Sequence, residues 1–283
     1  MFKAFVNYNN TGLFSPITTF RRYVHLKKSY GQHLLIDKSV LHKIHDSCDI
    51  TKNDVVLEIG PGTGNLTSIL LSTSKSVICI EKDKQMITPL GNRFSKYLES
   101  GSLHVINADI LDWKCEYSPT CCVSNIPYYI SSSLLYKFIL DPSFWFLKGN
   151  TLLVQKEFAQ KICASENDSI YRRLSILTQY LYKPQLLFDV PPSAFMPPPE
   201  VTSSVLKLEP IRWDTQFLGN KDKKQKLYNF LLEFNDFLRI LFLRKNRNVK
   251  SNLTHKYSWN QDLFSALKEN KFEFKSDRTN KIG

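Results

Sequence analysis

The 283-residue sequence lacks the features of a membrane protein and of a disulfide-rich protein. No apolar run approaches the roughly 20 residues that a bilayer-spanning helix needs. The six cysteines form no C-x-x-C pair, and several of them lie in apolar runs that are typical of strands. The sequence therefore predicts an intracellular globular protein with reduced core thiols, rather than a zinc site or a disulfide framework.

Acidic residues are absent from the first 36 positions, and the charge of the chain is uneven. The net charge of +12 divides into +5 over residues 1–36, −1 over residues 37–210 and +8 over residues 211–283. A near-neutral body with basic ends indicates a catalytic core flanked by surfaces that contact a polyanion such as nucleic acid. Lysine enrichment from a biased base composition would give the same totals, so charge alone leaves both interpretations open.

Residues 1–27 combine arginine, serine, threonine and aromatic residues with no acid, which is the composition of an organellar transit peptide. Pro16 interrupts the helical pattern that such peptides usually show. We interpret residues 1–27 as a basic extension that directs import into a mitochondrion or plastid. A nucleolar or cytoplasmic protein is the alternative.

Strand-like apolar runs alternate with helical patterns through the middle of the chain. Strands are predicted at residues 55–59, 76–80, 103–106 and 151–155, with another in the run that contains Cys121, Cys122 and Val123. A helix is predicted around residues 86–97. Strand–helix alternation is the sign of a doubly wound parallel sheet. The predicted fold is therefore an α/β, Rossmann-like sheet.

The pattern changes towards the C-terminus. The proline-rich segment 191–199 is predicted to be a rigid loop without regular structure, because proline fixes φ and removes a donor. Residues 201–208 alternate and are predicted to close the sheet. Beyond Pro210 only basic helices are expected, including residues 227–243. We therefore predict a catalytic domain over residues 28–210 and a small α-helical, RNA-contacting domain over residues 211–283.

A glycine-rich turn follows the strand that ends at Ile59. Gly60-x-Gly62-x-Gly64 lies between this strand and a helix, where glycines let a nucleotide approach the backbone. Glu81 and Asp109 end the next two strands, where one carboxylate can accept from ribose hydroxyls and the other from an adenine amino group. The compact glycine spacing favours S-adenosylmethionine over NAD, because S-adenosylmethionine has no pyrophosphate to bind.

Asn125-Ile126-Pro127-Tyr128 follows the strand with the paired cysteines and precedes a helical pattern. An amide can hydrogen-bond an exocyclic amino group, and a tyrosine can stack on a planar base. Their position at the C-terminal end of a strand is where open α/β sheets bind their ligands. The tetrapeptide suits chemistry on the amino group of adenine, although a proline turn with a buried tyrosine would have the same sequence.

Together these motifs resemble the ribosomal RNA adenine dimethylases. They occur in that family's order and spacing, and the segments that carry the resemblance are Gly31–Leu35, Glu58–Gly64, Asn125–Tyr128, Gln155–Glu157 and Phe195–Pro199. The resemblance implies transfer of methyl groups from S-adenosylmethionine to N6 of two adjacent adenines near the 3′ end of small-subunit rRNA. It also implies a role in small-subunit maturation, action as a monomer, and no metal.

The resemblance also assigns roles to individual residues. Contact with S-adenosylmethionine is implied for His33, Leu35, Gly60, Gly62, Glu81, Asp109 and Asn125. Binding of the target adenine is implied for Asn125, Pro127 and Tyr128, with Phe195 against the other face of the base. The basic residues expected to contact rRNA are Arg244, Lys245, Arg247 and Lys250. For Phe195 the alternative is a core aromatic, and for the basic residues it is a solvated helix face.

Two departures from the family pattern stand out. Tyr129 occupies a position where relatives usually have Asn or Gln, and the chain stops soon after Arg278, where relatives usually continue into a last helix. Three other functions fit parts of this pattern. Amino-methyltransferases acting on DNA adenine or protein glutamine usually have proline where Ile126 stands. A ribosome-assembly or organellar transcription factor would keep the fold with catalysis secondary; the intact acids and Asn125 argue against loss of activity and leave a second role of this kind open. A dehydrogenase would not explain residues 125–128.

Overall fold

The structure is a computed structural model, and it describes residues 33–211 and 219–242. The predicted import segment 1–27 and the predicted RNA-contacting residues lie outside these ranges; the latter are Arg244, Lys245, Arg247 and Lys250. The six cysteines lie inside the ranges and are all free thiols.

The described residues form nine strands, which are β1 (Leu34–Leu35), β2 (Val55–Ile59), β3 (Ser76–Glu81), β4 (Leu103–Asn107), β5 (Cys121–Asn125), β6 (Asn150–Gln155), β7 (Tyr182–Val190), β8 (Phe195–Met196) and β9 (Ser203–Pro210). Seven of these strands form one mixed sheet in the order β4-β3-β2-β5-β6-β9-β7, and the two short strands β1 and β8 form a separate ribbon. The first five strands of the sheet run parallel, and β9 pairs antiparallel with both β6 and β7.

Helices cover both faces of the sheet. They are α1 (Lys38–Asp46), α2 (Asn65–Thr73), α3 (Lys84–Arg93), α4 (Ser95–Glu99), α5 (Ser131–Leu140), α6 (Lys156–Cys163), α7 (Arg173–Leu181) and α8 (Lys221–Leu241). The apolar runs of the central strands need cover on both sides, since side chains alternate between the two faces of a strand. Leu57 and Ile78 accordingly pack with α5–α8, whereas Val56 and Val77 pack with α1–α3.

The predicted α/β, Rossmann-like class is confirmed, and the structure corrects three details. Residues 201–208 do not close the sheet at its edge: β9 lies between β6 and β7, and β7 is the edge strand. The proline-rich segment is not without regular structure, because β8 pairs antiparallel with β1. The helix predicted near residues 86–97 is divided at Phe94 into α3 and α4.

The α8 helix carries the described part of the predicted C-terminal domain. Its buried residues Leu227, Leu231 and Leu238 belong to the same core cluster as the sheet residue Leu57. The described part of α8 therefore joins the core on one face of the sheet by packing against α5 and α7. The boundary near residue 210 remains a prediction. Among the described residues, no helix is long and apolar enough to cross a membrane.

Candidate active site

An open cavity lies at the carboxyl ends of β2, β3, β4 and β5. The chain runs outward from β2 to β4 and then returns to place β5 on the other side of β2, so the cavity lies at the point where the strand order reverses. Open α/β sheets bind ligands at this kind of crevice. Most of the sequence-predicted site residues line it, namely His33, Leu35, Gly60, Gly62, Glu81, Asp109, Asn125, Pro127 and Tyr128.

The glycine turn between β2 and α2 requires glycine for two reasons. Gly60, Gly62 and Gly64 have φ angles of 65°, 56° and 80°, in the left-handed region that side chains with a Cβ rarely adopt. A Cβ on Gly62 would also lie 2.9 Å from the Leu34 side chain, and a Cβ on Gly64 would meet the Phe94 ring. The turn therefore leaves backbone exposed to the cavity, as the approach of a nucleoside requires.

Glu81 ends β3 and is buried, with both carboxylate oxygens facing backbone donors. The Gly62 N–H donates to Oε2 at 3.3 Å, and the Asp83 N–H donates to Oε1 at 2.7 Å. Burial raises the pKa of Glu81 above its ordinary value, although these hydrogen bonds oppose the shift. A carboxylate so placed at the rim of the glycine turn fits the ribose hydroxyls of a nucleoside cofactor.

Asp109 follows β4 and forms an ion pair with Lys82, which also lines the cavity. The Lys82 ammonium lies 2.6 Å from Oδ2, and the Leu111 N–H donates to Oδ1 at 3.0 Å. Burial raises the pKa of Asp109, but the hydrogen bonds from Lys82 and Leu111 outweigh this and hold it below the ordinary value of 3.8. Asp109 is therefore an ionised acceptor, which fits an adenine amino group.

The Asn125 side chain is oriented by the segment that contains β1. Its Nδ2 donates a hydrogen bond of 3.0 Å to the His33 backbone carbonyl. Because a carbonyl can only accept, this contact determines which end of the amide is the NH2 group. The Oδ1 end is then the acceptor that Asn125 can offer to a ligand in the cavity.

Tyr128 is half-buried and held at two points. Its hydroxyl shares a hydrogen bond of 2.6 Å with the Ser203 hydroxyl, and its ring stacks on the His33 ring at a centroid distance of 5.8 Å. Burial raises the pKa of Tyr128, so the phenol is neutral. Tyr129, the departure from the family pattern, is 54% exposed and also lines the cavity.

Phe195 is where the structure departs from the predicted site. Its side chain is only 3% exposed, lies opposite Leu35 in the β1–β8 ribbon, and packs with Leu41 and Val190 in the core. It does not line the cavity. In this structure Phe195 is the core aromatic that was the alternative interpretation, and its ring could face a bound base only after moving.

Glu58 is a cavity residue that was not predicted to act at the site. It is 2% exposed, and its Oε2 accepts a hydrogen bond of 2.6 Å from the Thr67 hydroxyl. Burial raises its pKa from 4.5 to about 7. The signal was present in the sequence, because Glu58 is the one charged residue in the apolar strand β2.

The strand order, the glycine turn and the strand-end acids define an S-adenosylmethionine-dependent methyltransferase. The family model for "Ribosomal RNA adenine dimethylase" matches residues 24–276. The chain therefore belongs to the ribosomal RNA adenine dimethylase family. This confirms the family, the kind of enzyme and the methyl donor that the sequence motifs implied.

Individual proteins with similar sequences carry names that match this family. A "Ribosomal RNA small subunit methyltransferase" from Arabidopsis thaliana is 37% identical over 84% of this chain and 63% of its own length. A mitochondrial protein of the same description from that plant is 40% identical over 65% of this chain and 48% of its own. The crystal structure of a dimethyladenosine transferase from Plasmodium falciparum is 35% identical, with a TM-score of 0.65 over 84% of this chain and 79% of that one. The chain thus spans about half to two thirds of these two plant relatives.

Proposed function

We propose that the protein transfers methyl groups from S-adenosylmethionine to N6 of two adjacent adenines near the 3′ end of small-subunit rRNA, during maturation of the small ribosomal subunit. The orientation of Asn125 carries this proposal, because the His33 carbonyl takes the NH2 end of the amide and leaves Oδ1 as an acceptor. An amino group is the ligand that such an acceptor suits. The family and the names of the relatives support rRNA as the substrate.

The cofactor side of the cavity is assigned to four residues. Gly60 and Gly62 would lie against the cofactor through bare backbone, Glu81 would accept from its ribose, and Asp109 would accept from its adenine. S-adenosylmethionine supplies an activated methyl group. The polar partners named above fit its nucleoside part, and His33 and Leu35 border the same cavity.

Asn125 would prepare the target nitrogen for attack. The lone pair of an adenine amino group is delocalised into the ring, so the nitrogen is a poor nucleophile. Acceptance of one amino hydrogen by Asn125 Oδ1 and of the other by a backbone carbonyl would favour a pyramidal nitrogen with a localised lone pair. We assign the second acceptor to the backbone carbonyl of Ile126 or of Pro127, and the Pro127 carbonyl also accepts from the Ile130 N–H at 3.1 Å. The alkylated nitrogen would be acidic and would release its proton to water, with S-adenosylhomocysteine as the other product. No strong general base is then required, and placement does most of the catalytic work.

Tyr128 would provide the stacking surface for the base. Stacking on an aromatic side chain contributes roughly 1–3 kcal/mol per base. The target adenine must leave its own stack to reach this ring, which is easiest in a single-stranded loop. Tyr129 is exposed at the cavity border, where it would be open to contact with RNA that flanks the target base.

The test combines the protein with labelled S-adenosylmethionine and immature small ribosomal subunits, and maps reverse-transcription stops. We expect stops at two adjacent adenines near the 3′ end of the rRNA. Asn125→Ala should abolish methyl transfer while the protein keeps its fold and its cofactor affinity within a few-fold. Full activity of Asn125→Ala would remove the assignment of this residue, and methylation elsewhere would remove the proposed substrate.

Two further proposals concern residues outside the described ranges. We propose that residues 1–27 direct import into an organelle, and the mitochondrial relative supports this. A fluorescent fusion of residues 1–30 should enter mitochondria or plastids, whereas nucleolar or cytoplasmic fluorescence would contradict import.

We also propose that Arg244, Lys245, Arg247 and Lys250 contact rRNA phosphates, so that neutralising them should flatten the salt dependence of RNA binding.

A further inference from the structure

The hydroxyl end of Tyr128 is tied to a part of the sheet that none of the predicted site residues occupies. The Ser203 hydroxyl shares a hydrogen bond of 2.6 Å with the phenol oxygen. The two residues are 75 positions apart in sequence, so the contact exists only in the folded chain. Its effect is to fix the far end of the ring, while the backbone of the residues after β5 fixes the near end.

Ser203 is a rigid anchor for this contact. It is the first residue of β9, is fully buried, and pairs with Gln155 of β6 on one side and Val190 of β7 on the other. A residue of a strand that is paired on both sides has little freedom to follow a moving partner. The Tyr128 ring is therefore positioned by the sheet, and the stack with His33 limits its tilt from one face.

We propose that Ser203 is a positioning residue for methyl transfer, and that it acts by holding the long axis of the Tyr128 ring at the place where the target base stacks. The inference rests on the proposed function, in which Tyr128 carries the base. Without the hydroxyl of Ser203 the phenol oxygen loses its anchor, and the ring can swing about the Cα–Cβ bond. The base would then reach the Asn125 acceptor in fewer productive orientations, and misplacement by about 1 Å can cost on the order of 100-fold in rate.

The neighbouring residue provides a matched control. Ser204 is equally buried, lies in the same strand, and donates a hydrogen bond of 2.6 Å to the Asp189 carboxylate on the other face of the sheet. Ser203→Ala and Ser204→Ala therefore make the same chemical change at the same depth in β9. Only Ser203→Ala removes a contact with Tyr128.

The experiment is a double-mutant cycle on methyl transfer to immature small subunits. The full-length proteins are wild type, Ser203→Ala, Tyr128→Phe, the double variant and Ser204→Ala. Ser203→Ala and Tyr128→Phe should each lower kcat by about 3- to 30-fold, which is the range for one buried hydrogen bond. The kcat of the double variant should be no lower than that of the less active single variant, because both changes remove the same contact. The affinity for S-adenosylmethionine should stay within twofold throughout, and Ser204→Ala should keep the wild-type kcat.

Each other outcome overturns the inference. Multiplicative losses in the double variant would show that the two residues act separately, and equal losses in Ser204→Ala would show a general effect of weakening β9. If Ser203→Ala fails to fold, Tyr128→Phe alone tests the inference. Wild-type activity of Tyr128→Phe would show that the hydrogen bond to Ser203 is not needed for methyl transfer. A wild-type protein that does not methylate rRNA would refute the proposed function instead, so the two failures are distinct.

Discussion

Glu58→Gln should make the protein more stable at neutral pH, although it removes a cavity carboxyl group. Glu58 is 2% exposed, and burial raises its pKa from 4.5 to about 7. Glutamine has nearly the same shape and keeps an oxygen that can accept the hydrogen bond from Thr67. The substitution therefore isolates the effect of burying a titratable group.

The size and sign of the effect follow from the two pKa values. Below pH 4.5 the carboxyl group is protonated in both the folded and unfolded chains, so it costs nothing. Between pH 4.5 and 7 the unfolded chain releases the proton while the folded chain retains it, and folding becomes progressively less favourable. Above pH 7 the cost reaches its full value of about 3 kcal/mol, since one pKa unit is worth about 1.4 kcal/mol. Glutamine does not titrate and escapes this loss.

The assay is urea unfolding of wild type and Glu58→Gln at several pH values from 4.5 to 8. We expect the difference in the free energy of unfolding to move in favour of the variant by about 3 kcal/mol across this range. Thr67→Val should instead lower the free energy of unfolding at neutral pH, because it removes the hydrogen bond from the Thr67 hydroxyl that lowers the pKa of Glu58. A difference between wild type and Glu58→Gln that is independent of pH would refute the reasoning.

Two other substitutions test the cofactor side of the cavity. Lys82→Met should raise the pKa of Asp109, because it removes the ammonium group at 2.6 Å. As the pH is lowered, the affinity for S-adenosylmethionine, measured by calorimetry, should therefore begin to fall at a higher pH than in wild type. The same pH dependence of the affinity in both proteins would contradict this. Gly64→Ala should lower the free energy of unfolding by about 2–4 kcal/mol, since it adds a contact with Phe94 to the cost of a positive φ. Gly101→Ala has a similar φ of 72° with no heavy atom of the described residues within 4 Å, so it should lose only about 1–2 kcal/mol, and equal losses would show that the Phe94 contact is unimportant.

The meeting of Glu81, Asp109 and the glycine turn at one cavity was predictable, because local sequence rules determine their places in the fold. Glu81 ends the strand β3 and Asp109 follows β4, and parallel strands bring their carboxyl ends to one edge of the sheet. The glycine turn is equally local, since its positive φ angles select glycine wherever the turn occurs. Strand–helix alternation then determines that these segments share a crevice.

The parts that could not be predicted depend on contacts between distant segments. The order of β9 and β7 is decided by antiparallel pairing, which the alternation of apolar residues in either strand does not encode. The burial of Phe195 depends on β8 meeting β1, two strands of two residues each that have no pattern of their own. A resemblance in sequence could therefore align Phe195 with a base-binding position without showing where its ring points in this structure.

The ribbon of β1 with β8 links the two sides of the site. The backbone carbonyl of His33, which precedes β1, accepts a hydrogen bond from the Asn125 side chain, and the His33 Nδ1 lies 2.9 Å from the Pro197 carbonyl. The Leu35 carbonyl accepts from the Asn65 side chain at the start of α2, next to the glycine turn. Displacement of this segment would therefore free the Asn125 amide to rotate and would disturb the cofactor side at the same time. Orientation of the amide acceptor thus depends on a chain segment that precedes the sheet, and this explains why the Asn125–Tyr128 tetrapeptide alone could not distinguish a catalytic site from a turn.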